Sequence, residues 1–161
     1  LMADNIRKEM ANRGVDKEII SSDGTCIVHE EFTTEQIDEA RKTFPGFKIV
    51  AHPECTQEVA DAVDFLGSTG EMMKYVNSTG PPYYLMLTEC GLVSRLAVEY
   101  PEKNFIGGCR LCPYMNMNTL QKIRDALADP KPEQIITLEA EVSKRAGRCI
   151  DKMFELAARY Q

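Results

Sequence analysis

What this chain lacks narrows its chemistry first. No apolar run approaches the roughly 18–20 residues that a membrane span requires, so no membrane role is expected. There is no basic excess: the formal net charge is −6, which argues against a nucleic-acid surface or an anionic membrane as a general partner. No low-complexity segment or short-period repeat is visible, and the first ten residues, LMADNIRKEM, are too mixed and charged for a secretion signal. Only two histidines occur, and the single CxxC, Cys109 and Cys112, has no second CxxC to complete a zinc ribbon.

What is present is a globular composition: 161 residues, 43% hydrophobic and 27% charged, enough for one ordinary domain or two small ones. The chain begins at Leu1 and enters a helical pattern at once, so a segment upstream is expected. Six cysteines invite a disulfide framework, but the length, the acidic helices and the missing secretion signal favour the cytosol. There, clustered cysteines more often bind metal or do chemistry.

Patterning predicts alternating strands and helices. Helices are expected at 3–13, from Thr33 (capped by Gln36) to about 43, at 56–62, from GSTGE to about 77, over ECGLVSRLAVEY, over NTLQKIRDALAD, and at 138–160. Strands are expected at EIIS (18–21), FKIVA (47–51), VDFL, YYLMLT (83–88) and NFIG (104–107), with Gly80-Pro81-Pro82 breaking the chain. The alternation implies βαβ units, a parallel sheet and helices on its faces. In such folds the functional crevice lies beyond the carboxyl ends of the strands. Nearly all the chemically suggestive residues directly follow a predicted strand: Cys26; His52 and Glu54; Ser68 and Thr69; Glu89 and Cys90; Cys109 and Cys112.

Each candidate has a plain counterpart. Cys109 and Cys112 place two sulfurs within reach of one metal or of each other, and spacing alone does not separate a metal pair from inert thiols. Cys26, in the glycine-containing loop DGTC, reaches into a crevice or packs as a small hydrophobe. His52 and Glu54, an i, i+2 pair stiffened by Pro53, suit proton transfer and substrate anchoring, or else a backbone-bonded His and a water-facing Glu. Ser68 and Thr69 open a helix, where amides and hydroxyls favour an anion; Ser68 with Glu71 is also an ordinary capping box, and the two roles are compatible. His29, Glu89 and Cys90 end or follow strands with less to recommend them, and Cys55 and Cys149 read as packing thiols. Met72, Met73, Met86, Met115 and Met117 read as core rather than ligands.

Taken together, TCIVHEEFT, AHPEC, DFLGSTGEMMKYV, LTECGLVSRL and CPYMNMNTL resemble the quinolinate synthase family, in order and over nearly the whole chain. The resemblance implies three similar α/β domains around a pseudo-threefold axis, repeated three-layer αβα units with short parallel sheets. Each domain would contribute one cysteine to a 4Fe–4S cluster whose fourth iron stays open to substrate. It implies cytoplasmic condensation of iminoaspartate with dihydroxyacetone phosphate to the pyridine precursor of NAD, with loss of phosphate and two waters. An L-aspartate-oxidising enzyme would be the source of iminoaspartate.

Carried over by motif, the resemblance makes Cys26 and Cys112 cluster ligands, Glu54 the proton-transfer residue and His52 a contact to the intermediate. Ser68 and Thr69 then bind the phosphate or carboxylate end of the substrate, and Met115 lines the site. Cys109 is left as a neighbour that forms a disulfide with Cys112 when the cluster is lost. Residues 1–30 correspond to the end of the second family domain, 31–112 to the third, and 113–161 to C-terminal helices packing back on the core. Two departures stand out. SSDGTC lacks the usual aromatic before the cluster cysteine, and the first third of the family, with the remaining cluster cysteine, is absent. The rival expectation is a non-catalytic α/β module holding zinc or a redox disulfide at Cys109 and Cys112.

Overall fold

A computed structural model of the protein describes residues 1–80 and 83–159. The chain break at Pro81-Pro82 and the last position of the helix expected to end at 160 lie outside the described residues. Two compact units are present, Leu1–Asn116 and Met117–Gln161.

The first unit is built on β1 (Lys48–Ala51), β2 (Phe65–Leu66), β3 (Tyr83–Leu87) and β4 (Asn104–Ile106). All pairings are parallel, in the order β2-β1-β3-β4. Each strand is followed by a helix except the last: α3 (Gln57–Ala62), α4 (Thr69–Ser78) and α5 (Cys90–Glu99); α1 (Met2–Asn12) and α2 (Thr34–Thr43) precede the sheet. Local chemistry explains where these helices start. Thr33 and Gln36 close a capping box on α2, as Ser68 and Glu71 do on α4. The Thr56 hydroxyl accepts from the Val59 amide on α3. Each such cap contributes about 1 kcal/mol.

Side-chain alternation along the two central strands splits the core in two. Ile49 and Ala51 of β1 and Leu85 and Leu87 of β3 point to one face, where they bury Val28, Phe32, Ile37 of α2 and Val59 of α3. Val50, Tyr84 and Met86 point to the other, against Met72 and Val76 of α4 and Leu96 of α5. This is the expected α/β fold, a parallel sheet with helices on both faces. Burying each of these large side chains is worth roughly 1.5–3 kcal/mol, so β1 and β3 hold the unit together.

One predicted strand is corrected. EIIS carries no strand pairing, and Ile20 is 90% exposed. It joins neither edge of the sheet; instead the Ile19 carbonyl accepts from the Arg7 guanidinium at 3.0 Å.

The second unit carries α6 (Leu120–Ala128), a short 3-10 turn (Pro132–Gln134) and α7 (Ala140–Ala158). None of its described residues is buried. Cys149, expected to be a packing thiol, is exposed on α7, because two helices cannot enclose a side chain on every side. Met117 and, in the first unit, Met115 are likewise exposed rather than core, at 60% and 56%, on the short turn Met115–Met117.

Candidate active site at the sheet's carboxyl edge

The connections from β1 and β3 leave on opposite faces. α3 packs through Val59 on one side and α5 through Leu96 on the other. Such a reversal opens a crevice beyond the carboxyl ends of the two strands. His52 and Glu54 follow β1 there, and Thr88 and Glu89 follow β3. A third segment, residues 26–31, meets them. The Cys26 carbonyl accepts from the amides of His29 and Glu30 at 3.0 and 3.1 Å, closing the turn that leads into the 3-10 helix His29–Glu31. Val28 and Phe32, buried on either side of His29, anchor that turn in the core.

These elements stack two imidazoles over one carboxylate. The His29 and His52 rings lie 4.6 Å apart, 18° from parallel. Glu54 Oε2 is 3.0 Å from His29 Nδ1 and 3.4 Å from His52 Nδ1. His52 Nδ1 accepts from the Glu54 amide at 3.3 Å, which leaves the ring proton on Nε2. His29 is 6% exposed and its Nε2 pairs with Thr88 Oγ1 at 3.2 Å. Its buried Nδ1 faces the Glu54 carboxylate without meeting hydrogen-bond geometry. Burial lowers the pKa of both histidines; His52 lowers that of His29 further, while Glu54 opposes the shift in each. Both rings are therefore neutral at ordinary pH, fit to accept a proton or to ligate.

His52 and Glu54 do converge, but through a turn rather than an extended stretch: the Cys55 amide donates to the His52 carbonyl at 3.0 Å. The loop is pinned from below by a residue that patterning passed over. Asn5 of α1, 6% exposed, donates from Nδ2 to the carbonyls of Pro53 and Cys55 at 2.8 and 2.9 Å. His29 has little to recommend it in the sequence and Thr88 is passed over; the signals are the placement of His29 three residues after Cys26 and of Thr88 just past β3.

The cysteines divide by environment. Cys26 and Cys112 are free, half-buried, and pack against the same core cluster. Glu89 caps α5 by accepting from the Gly91 amide at 2.5 Å, and its other oxygen accepts from the Cys112 amide at 3.4 Å. Arg110 ties the two cysteine loops together: its guanidinium lies 3.0 Å from Glu31 and 5.5 Å from the Phe32 ring centre. Cys55 is fully buried, and burial pushes its thiol up to about 12, so it stays protonated.

Cys109 corrects an expectation. Its disulfide is with Cys90, not Cys112. The parallel pairing of β3 with β4 continues into a bridge between Glu89 and Arg110, with the Cys90 amide donating to the Arg110 carbonyl at 3.0 Å. That register sets Cys90 beside Cys109 with Cα atoms 4.9 Å apart, within disulfide reach. Gly108 makes the turn possible: its φ is +111°, and an added Cβ would fall 2.8 Å from Leu85 Cδ1. The Cys109–Cys112 metal or redox pair loses one thiol to Cys90.

Ser68 and Thr69 follow β2, one strand over at the same edge, and both are exposed. The Ser68 hydroxyl and amide both donate to Glu71 Oε2, at 2.7 and 2.8 Å. Those bonds hold the Glu71 carboxyl below its usual range. Among the described residues, no hydrogen bond or ion pair links Ser68, Thr69 or Met115 to His52 or Glu54.

The family model described as Quinolinate synthetase A protein matches residues 1–155. The quinolinate synthase of Caulobacter vibrioides is 39% identical over 156 residues, 97% of this chain and 42% of that protein. That of Agrobacterium fabrum is 39% identical over 155 residues, 96% of this chain and 43% of the relative. A third, from Xylella fastidiosa, is 38% identical over 155 residues, 96% of this chain and 44% of the relative. The chain thus spans about two fifths of the length of the curated relatives it matches.

Proposed function

The chain belongs to the quinolinate synthetase A family, and on that premise we propose that it is the carboxyl-terminal portion of a quinolinate synthase. The reaction is the condensation of iminoaspartate, supplied by an L-aspartate-oxidising enzyme, with dihydroxyacetone phosphate in the cytoplasm. In this reading residues 1–30 complete the second of three pseudo-threefold domains, 31–112 form the third, and 113–161 supply the C-terminal helices.

The observation that carries this reading is that two free thiols, Cys26 and Cys112, pack on one core cluster, with Cys26 close to Glu54 of the His52–Glu54 pair. The donor set fits two corners of a 4Fe–4S cluster. Within the first unit the other cysteines do not serve: Cys55 is buried and protonated, and Cys90 and Cys109 are bonded. A cluster with one open iron needs a third protein thiolate, and the family resemblance places that ligand in the family's first domain. When bound, such a cluster supplies a Lewis-acidic iron to the substrate's oxygen groups.

The chain's own residues do the rest. The Glu54 carboxylate, half-exposed at the crevice and fixed by the Asn5-pinned loop, takes and returns the proton during dehydration. His52 directs its Nε2–H at a substrate oxygen, because Nδ1 is held by the Glu54 amide. Ser68, Thr69 and the first amides of α4 take the phosphate or carboxylate end once Glu71 gives up its bonds to Ser68. Met115 lines the approach. In full-length enzyme, Glu54→Gln keeps the iron–sulfur absorption and loses at least about 100-fold in turnover. Near-normal turnover in that variant would remove Glu54 from the mechanism.

A further inference from the structure

The geometry points to a second way of loading this site: Cys26, His29 and Glu54 form a three-ligand centre for one divalent ion of the zinc class, with no part for Cys112. One ligand atom from each of the three lies within 4.8 Å of the others. The set is S, N and O, and a fourth position is left to solvent, as in zinc sites that do chemistry.

Three observations argue that the arrangement is built rather than accidental. The first is local. The bond from the His29 amide to the Cys26 carbonyl makes an i, i+3 turn, and residues so spaced lie on the same side. The second is the orphaned nitrogen. His29 Nδ1 is buried, 3.0 Å from the Glu54 carboxylate, and without a hydrogen bond. A buried polar atom left so is destabilising, and a cation held between ring and carboxylate removes that penalty. The third is the outer contact. Thr88 Oγ1 pairs with His29 Nε2 at 3.2 Å and holds the ring; its hydroxyl can accept the ring proton at Nε2 when Nδ1 gives its lone pair to a metal, as partners of metal-bound histidines do.

The fit needs only small motion. Ordinary zinc–ligand lengths give tetrahedral edges of about 3.3–3.6 Å for one sulfur, one nitrogen and one oxygen, so a pair near the 4.8 Å limit closes by about 1 Å and the 3.0 Å His29–Glu54 pair opens slightly. Glu54, 34% exposed, has that freedom, while His29 is clamped between Thr88 and the His52 ring. On binding, the Cys26 thiol proton leaves to solvent, and thiolate and carboxylate together neutralise the dication. Cys26 is shared with the cluster proposed above, so the two loadings exclude each other at that thiol. The inference does not otherwise rest on the cluster.

Cobalt(II) is the probe. The 161-residue chain, stripped with chelator, reduced and kept anaerobic, is titrated with Co²⁺. One equivalent is expected to give a near-ultraviolet thiolate-to-cobalt band and intense visible bands of four-coordinate cobalt, both erased by Zn²⁺. Cys26→Ser removes the near-ultraviolet band; His29→Gln and Glu54→Gln each weaken binding by more than about 100-fold, beyond what loss of an outer hydrogen bond costs. Thr88→Val weakens it by about 10–100-fold, and Cys112→Ser leaves it unchanged. Circular dichroism reports folding in each variant, and the half-exposed Glu54→Gln carries the test if His29→Gln does not fold. A wild-type chain without the thiolate band, or a band that depends on Cys112, overturns the inference. Dependence on Cys112 in this titration indicts the mononuclear centre alone, because the cluster reading is judged separately by iron and sulfide in full-length protein.

Discussion

Two pairs of cysteines reach the same edge of the sheet and meet different fates. Cys26 and Cys112 arrive on separate loops, pack on one core cluster and stay free. Cys90 and Cys109 are joined, because the β3–β4 register extends past the strands through the Glu89–Arg110 bridge and sets them side by side. Neither outcome follows from residue type. The free pair lies where three loops converge on a crevice, and the bonded pair lies along two neighbouring strands. The bonded pair also holds the Cys112 loop, three residues from Cys109, against α5. The difference is between thiols left available for a ligand and thiols spent on the loop that carries one of them.

Breaking the bonded pair is the largest expected effect on stability. Its sequence separation of 19 closes a loop whose entropy corresponds to about 3 kcal/mol. Cys109→Ser in oxidised protein should lose about that much by urea unfolding, and reduced wild type should match the variant. Equal stability of oxidised and reduced wild type would dissolve the contrast. In the same oxidised sample, denatured, four of the six cysteines should titrate as thiols.

Loosening the scaffold under the free pair comes next. Asn5→Ala strands the Pro53 and Cys55 carbonyls and should cost about 1–3 kcal/mol, seen as a lower urea midpoint at unchanged slope. An unshifted midpoint would mean that α1 does not hold the Glu54 loop.

The smallest effect is pH-dependent. Both histidines have folded pKa values below their unfolded ones, with burial the main cause. The unfolded chain therefore binds more protons as pH drops through the ordinary histidine range, about 6.5. The stability they contribute is whole above that range and is lost as pH falls towards the lower folded values. In chelator-treated protein the urea midpoint should decline from pH 7.5 to 5.5, and His29→Gln should flatten the decline. A midpoint that rises on acidification would reverse the sign of the argument.

How much of this was legible in the sequence follows from the range of each interaction. The capping boxes of Thr33 with Gln36 and Ser68 with Glu71 span three residues and were readable directly, as was the buried run FKIVA. EIIS misled because an apolar run says nothing about whether a partner strand is at hand. His29–Thr88 and Asn5–Pro53 are separated by 59 and 48 residues, so only the fold brings them together. The CxxC spacing suggested a local pair, while strand register chose Cys90 instead. Strand ends located the crevice; they did not say which thiol faces which.

The most direct test of the account compares Cys112→Ser with Cys109→Ser in the full-length protein, reconstituted anaerobically with iron and sulfide. The availability of Cys112 and the structural use of Cys109 predict that the first variant loses bound iron, sulfide and turnover to background. The second should retain a wild-type content of both iron and sulfide. Cluster content that survives loss of Cys112, or that disappears with Cys109 alone, would contradict the division between the free and the bonded pair.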